Sequence, residues 1–205
     1  MRILLIADLH SEEEVLDRLR AVHGRYDSIV VAGDIEGHDY SRRLLSISDS
    51  IKWIPGNMDD KGSCERNPGT CLHKKELELD GGLKLVGFGF SSPTPFGTPG
   101  ELGEDEIYSG LCPLEIDGNT ILITHVPPYG VLDEVAEGIH AGSRSLRRIM
   151  EEKKPRIIAC GHVHEAEGKE KCGETTVVQI PAASTLRGIL LTIENGQASI
   201  EMESL

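Results

Sequence analysis

No stretch of this 205-residue chain approaches 18 consecutive apolar residues, so no segment reads as a membrane-crossing helix. The apolar N-terminal run is cut short by Asp8 and reads as a first strand, not a signal peptide. Basic residues are few and scattered, 21 Lys and Arg against 34 Asp and Glu, for a formal charge of −13. Without a basic stripe, long nucleic acid is an unfavourable partner. Small phosphorylated molecules remain open, because bound metal ions would add positive charge that the count omits. The five cysteines are odd in number and lack metal-knuckle spacing. Reduced thiols in a cytoplasmic protein are the expectation, with a Cys64–Cys71 bridge as the alternative.

What the chain does have is a repeated pattern of apolar runs ending in polar residues. Residues 2–7, 28–32 and 51–54 are predicted strands, and Ser11 with Glu14 suggests a capping box opening a helix that carries Val15, Leu16, Leu19 and Val22. Strands alternating with helices imply parallel pairing at the start of an α/β fold. Residues 75–79 and 83–88 read as a hairpin about Asp80-Gly81-Gly82, and 91–103 as a Pro/Gly-rich loop. Residues 119–124, 156–159, 175–180, 188–193 and 198–202 are further strands, the last two turned at Asn195-Gly196. Ser143 caps a helix bearing Leu146, Ile149 and Met150. No linker or repeat divides the chain, so one domain over 1–205 is expected.

Asp8 and His10, Asp34, Asn57, His125, and His162 with His164 all stand at the carboxyl end of a predicted strand. In open α/β sheets that edge is where ligands bind. Any one of these residues alone has an ordinary structural explanation. Seven metal-competent groups at five strand ends do not. Carboxylate, imidazole and amide oxygen without thiolate suit Mn²⁺ foremost, with Fe, Zn²⁺, Co²⁺ or Ni²⁺ as alternatives. Two such ions would generate a bridging hydroxide and stabilise charge at phosphorus.

In order, Asp-x-His, Gly-Asp, Gly-Asn-x-Asp, His and Gly-His-x-His resemble the calcineurin-like metallophosphoesterase superfamily, in its small single-domain prokaryotic type. The resemblance runs from Asp8 to His164. It implies a four-layer α/β fold, a β-sandwich of mixed sheets flanked by helices, with a dinuclear site at the strand ends. It places Asp8, His10, Asp34 and His164 on one ion, and Asp34, Asn57, His125 and His162 on the other. Asp34 would bridge the two and position the hydroxide.

The chain departs from that pattern at Met58, where the family commonly carries a His that protonates the leaving oxygen or steadies the phosphate. Gly37 replaces a second expected Asp. His38 is a candidate substitute acid. Without one, the enzyme would depend on good leaving groups, since a missing general acid costs about 10²–10⁴-fold. Asp59 is a candidate hydrogen-bond partner of His10. Phe96, Tyr129, His140 and Ser143 are candidate substrate contacts, and the amides ahead of Ser143 could receive phosphate at a helix N-terminus. Hydrolysis of small phosphodiesters or phosphomonoesters is the expected activity. A single-stranded nuclease and a non-catalytic interaction scaffold are the rival expectations. Oligomeric state is left open.

Overall fold

The computed structural model describes residues 1–67 and 69–205. Two sheets lie face to face with helices outside each. The first has the order β13-β12-β1-β2-β3, from β1 (Arg2–Ile6), β2 (Ser28–Ala32), β3 (Ile51–Ile54), β12 (Arg187–Glu194) and β13 (Gln197–Ser204). The second has the order β10-β11-β9-β6-β5-β4, from β4 (Lys75–Glu78), β5 (Lys84–Phe88), β6 (Thr120–Thr124), β9 (Ile157–Cys160), β10 (Gly168–Cys172) and β11 (Thr175–Gln179). β1-β2-β3 and β5-β6-β9-β11 are parallel, and antiparallel strands β12, β13, β4 and β10 complete the edges. The mixed sandwich flanked by helices is as expected.

The layering follows from strand alternation. Ile3, Leu5 and Ala7 point between the sheets, where they meet Leu85, Ile121, Ile123 and Ala159. Leu4 and Ile6 point outward, against Leu16 and Leu19 of α1 (Glu13–Val22) and Leu44 of α2 (His38–Leu45). On the other side, Phe88, Leu122 and Ile158 meet Ile107 of α4 (Glu104–Leu111) and Ile149 of α5 (Arg144–Lys153). Each helix therefore covers a strand face that would otherwise stay wet, and truncating a buried Leu such as Leu19 to Ala should cost about 2–5 kcal/mol.

Several local expectations are corrected. The Ser11/Glu14 capping box does not form. The helix starts after Glu12, with no side-chain cap, and Ser11 Oγ donates instead to Glu36 O at 2.7 Å. With φ at +57°, Ser11 belongs to the turn that leaves the strand, not to the helix entry. The sequence reading omitted α4, the short α3 (Ser63–Arg66), the polar edge strand β10 and a small hairpin of β7 (Glu134–Ala136) and β8 (Ile139–His140). Cys64 and Cys71 are joined in a disulfide, Cα to Cα 5.4 Å, which corrects the expectation of reduced thiols at that pair. Cys112, Cys160 and Cys172 are free.

Candidate metal centre

The five strand-end segments converge because their backbones are tied to one another. Beyond β1, the Asp8 N–H donates to Gly33 O at 3.1 Å, His10 N–H to Asp34 O at 2.9 Å and Ser11 N–H to Ile35 O at 3.2 Å. Asp59 fastens the next pair of loops. Its carboxylate accepts from the N–H groups of Gly56 (2.9 Å), Ile35 (3.3 Å) and Glu36 (3.0 Å). Asp59 is thus spent on backbone donors, and the expected bond to His10 does not form. Gly161 N–H donates to His125 O at 2.9 Å, and buried Gln179 donates to the Gly161 and Val163 carbonyls, so β11 buttresses the Gly-His-Val-His turn.

Asp8, His10, Asp34 and His162 have φ of +55°, +44°, +52° and +73°. Left-handed backbone at a non-glycine residue costs on the order of 1–3 kcal/mol and concentrates at functional sites. Gly56 supplies the room: a Cβ there would collide with the Asp34 carboxylate.

Two groups of side chains have ligating atoms mutually within 4.8 Å. One is Asp8, His10 and His164, and the other is Asp8, Asp34 and His125. Asp8 is the member common to both. Asp34 also faces both, with Oδ2 3.9 Å from His10 Nε2 and Oδ1 3.5 Å from His125 Nε2. Asn57 Oδ1 lies 2.9 Å from His125 Nε2, and the His162 ring centroid is 5.0 Å from that of His125. The structure therefore brings all seven sequence-predicted ligand residues into one neighbourhood.

The electrostatics of this cluster fit a cation. The His125 Nδ1–H donates to Ala32 O at 2.8 Å, so a neutral ring turns the Nε2 lone pair toward the Asn57 and Asp34 oxygens. With the ring neutral, three electron-rich atoms meet in a buried place, and positive charge, a proton on His125 or a metal ion among them, relieves them. Burial disfavours the charged form of His125, yet Asp34 and Asp8 raise its pKa above the ordinary value. Burial likewise opposes the charged form of Asp8, but His164, His125 and the His162 N–H together hold its carboxyl below the usual range. Burial, with repulsion from His125, drives His162 down to about 3, which keeps its ring neutral and able to ligate.

His10, Asp34, Asn57, His162 and His164 border a cavity of about 780 Å³. Its lining also includes Phe96, Tyr129 and His140, three of the four expected substrate contacts. Ser143 is not among them. It is fully buried and caps α5, accepting from Leu146 N–H at 3.1 Å while donating to Glu104 Oε2 at 2.9 Å. The Glu104 carboxylate also accepts from the N–H groups of Arg144 and Ser145. The helix N-terminus expected to receive phosphate thus already holds an anion. His38 lines a smaller cleft that shares only Met58 with the large cavity. Sequence reasoning missed Glu36, whose carboxylate is 3.4 Å from His10 Nδ1, and Asp133, which holds His140. Neither carries a local motif.

Comparison with known proteins agrees with this geometry. The calcineurin-like phosphoesterase superfamily domain matches residues 1–187. An uncharacterized protein of Methanocaldococcus jannaschii is 34% identical across 87% of each chain. The crystal structure of TT1561 of Thermus thermophilus superposes with a TM-score of 0.68 at 16% identity, covering 99% of this chain and 98% of that one. A structure described as that of a novel archaeal phosphodiesterase superposes over the whole of both chains with a TM-score of 0.59 at 13% identity. With the family's domain spanning nearly the whole sandwich and its strand-end cluster, the chain belongs to the calcineurin-like phosphoesterase superfamily.

Proposed function

We propose that this protein is a metal-dependent phosphoesterase that hydrolyses small phosphodiesters or phosphomonoesters, and that it works in the cytoplasm. The observation that carries the reading is the pair of Asp/His groups sharing Asp8 at the edge of a large cavity. Asp8, His10, Asp34 and His164 would hold one divalent transition-metal ion, and Asp34, Asn57, His125 and His162 a second, with Mn²⁺ the first choice. Such ions supply a hydroxide nucleophile near neutral pH and positive charge for the phosphoryl oxygens.

The rest of the cavity bears on the substrate. Phe96 (86% exposed), Ile139 (58%), Val135 (38%) and Met58 (38%) all border it. Large apolar side chains left in water beside a charged cluster favour an ester whose departing group is aromatic or aliphatic. Arg144 stacks its guanidinium 3.9 Å over the Tyr129 ring at the same cavity, which offers a positive charge to a second anionic group on the substrate.

The test is hydrolysis of bis-p-nitrophenyl phosphate and p-nitrophenyl phosphate by purified protein. A strong chelator should abolish turnover and Mn²⁺ should restore it. Turnover indifferent to the chelator would overturn the reading.

A further inference from the structure

Met58 leaves the leaving-group oxygen without an imidazole from the expected position, and His38 lies outside the cavity. One other histidine lines the cavity without belonging to the metal-competent groups. His140, on β8, is held by a buried carboxylate: its Nδ1 is 2.7 Å from Asp133 Oδ1. Asp133 Oδ2 accepts from Gly130 N–H at 2.9 Å and Gly142 N–H at 3.0 Å, so the carboxylate cannot swing away. The Tyr129 ring packs beside the imidazole, centroids 5.1 Å apart. Among the described residues, Nε2 of His140 makes no hydrogen bond. A carboxylate on one ring nitrogen fixes the ring's orientation and turns the other nitrogen to the cavity.

Two backbone amides on Asp133 would suffice to shape this loop, so pinning it does not require the histidine. What His140 adds is a proton-carrying group on the cavity wall. We propose that His140 is the proton donor to the departing oxygen and that Asp133 is its positioning residue. The inference rests on the phosphoesterase reading. As water oxygen bonds to phosphorus, the bond from phosphorus to the leaving oxygen breaks and its electron pair stays on that oxygen. The His140 Nε2 proton moves to it, leaving a neutral imidazole. The proton released by water returns to the ring through solvent, and Asp133 stays ionised throughout.

The test uses Mn²⁺-loaded protein and phosphate esters whose leaving groups run from p-nitrophenol through phenol to ethanol. His140→Gln should lower kcat/KM about 10²–10⁴-fold for the ethyl ester and about tenfold or less for the p-nitrophenyl ester. Asp133→Asn should tilt the series the same way by a smaller amount. Circular dichroism and metal content should match wild type. In zinc-loaded, ¹⁵N-histidine-labelled protein, inorganic phosphate should shift the His140 Nε2 resonance. An equal loss across the series, or a resonance that phosphate leaves unmoved, overturns the role of His140 while the phosphoesterase reading stands. Absence of metal-dependent turnover in the wild type overturns both.

Discussion

The backbone N–H of Met58 donates to Asp34 Oδ1 at 2.8 Å. The residue that cannot donate a proton from its side chain thereby orients a carboxylate at the centre of the cluster. Its side chain is free to vary because its main chain does the positioning.

Met58→His should therefore leave metal content unchanged. In the wild type it should add little if His140 already protonates the leaving oxygen. In the His140→Gln background it should raise turnover of the ethyl ester by at least about tenfold. Steady-state kinetics of the single and double variants check this, and a double variant no better than His140→Gln would count against it.

Phe96 is presented by a loop that Glu101 ties together. Glu101 Oε1 accepts from Thr94 Oγ1 at 2.6 Å and from Thr98 N–H and Oγ1 at 2.7 Å each, and Thr94 in turn bonds the Phe96 N–H at 3.2 Å. The Thr94 and Thr98 donors hold the Glu101 carboxyl down to about 2. Glu101→Ala should loosen 91–103, visible as faster amide exchange there. KM for aryl esters should rise severalfold with kcat changed less, and Phe96→Ala should do the same without the faster exchange.

His73 makes stability depend on pH away from the cluster. Its ring lies 5.0 Å from those of Phe88 and Phe90 and accepts from Gly89 N–H at 3.0 Å. Burial, with Lys74 beside it, lowers its pKa to about 4 from the ordinary 6.5. The unfolded chain thus binds a proton that the folded chain refuses between those values. Stability is full above pH 6.5, falls as the pH drops toward 4 by up to about 3 kcal/mol, and changes no further from this group below that. Urea unfolding at pH 4.5 and 7.5 should show a smaller acid loss in His73→Gln than in wild type.

The Cys64–Cys71 bridge closes a short loop after β3. Replacing both cysteines by Ser should lower unfolding free energy by about 2 kcal/mol, mostly by freeing the unfolded chain. Metal-dependent turnover should survive, because neither cysteine borders the cavity.

The parts of this fold that were legible in sequence are those whose physics is local. β1, β2 and β6 carry continuous apolar stretches because both faces are covered, β3 is interrupted only by Lys52, and each ends on a polar turn. The Asn195-Gly196 turn follows from two residues that tolerate positive φ, observed at +50° and +74°. β10 was illegible because an edge strand reading Gly-Lys-Glu-Lys-Cys buries almost nothing. α4 was hidden because only Ile107, Gly110 and Leu111 face the core. At the site, the seven candidate ligands could be read from strand ends, while the tasks of Asp59, Glu104 and Asp133 could not. Most of their partners are backbone amides, which leave no trace in side-chain spacing.

The left-handed backbone at Asp8, Asp34 and His162 sets function and durability against each other. Glycine at any of these positions would relieve local strain while deleting a candidate ligand. Drift toward a sturdier sandwich would then also be drift away from the proposed metal site. The proposed chemistry would then have to be selected for continually, with a stabilised descendant lacking a ligand only one substitution away.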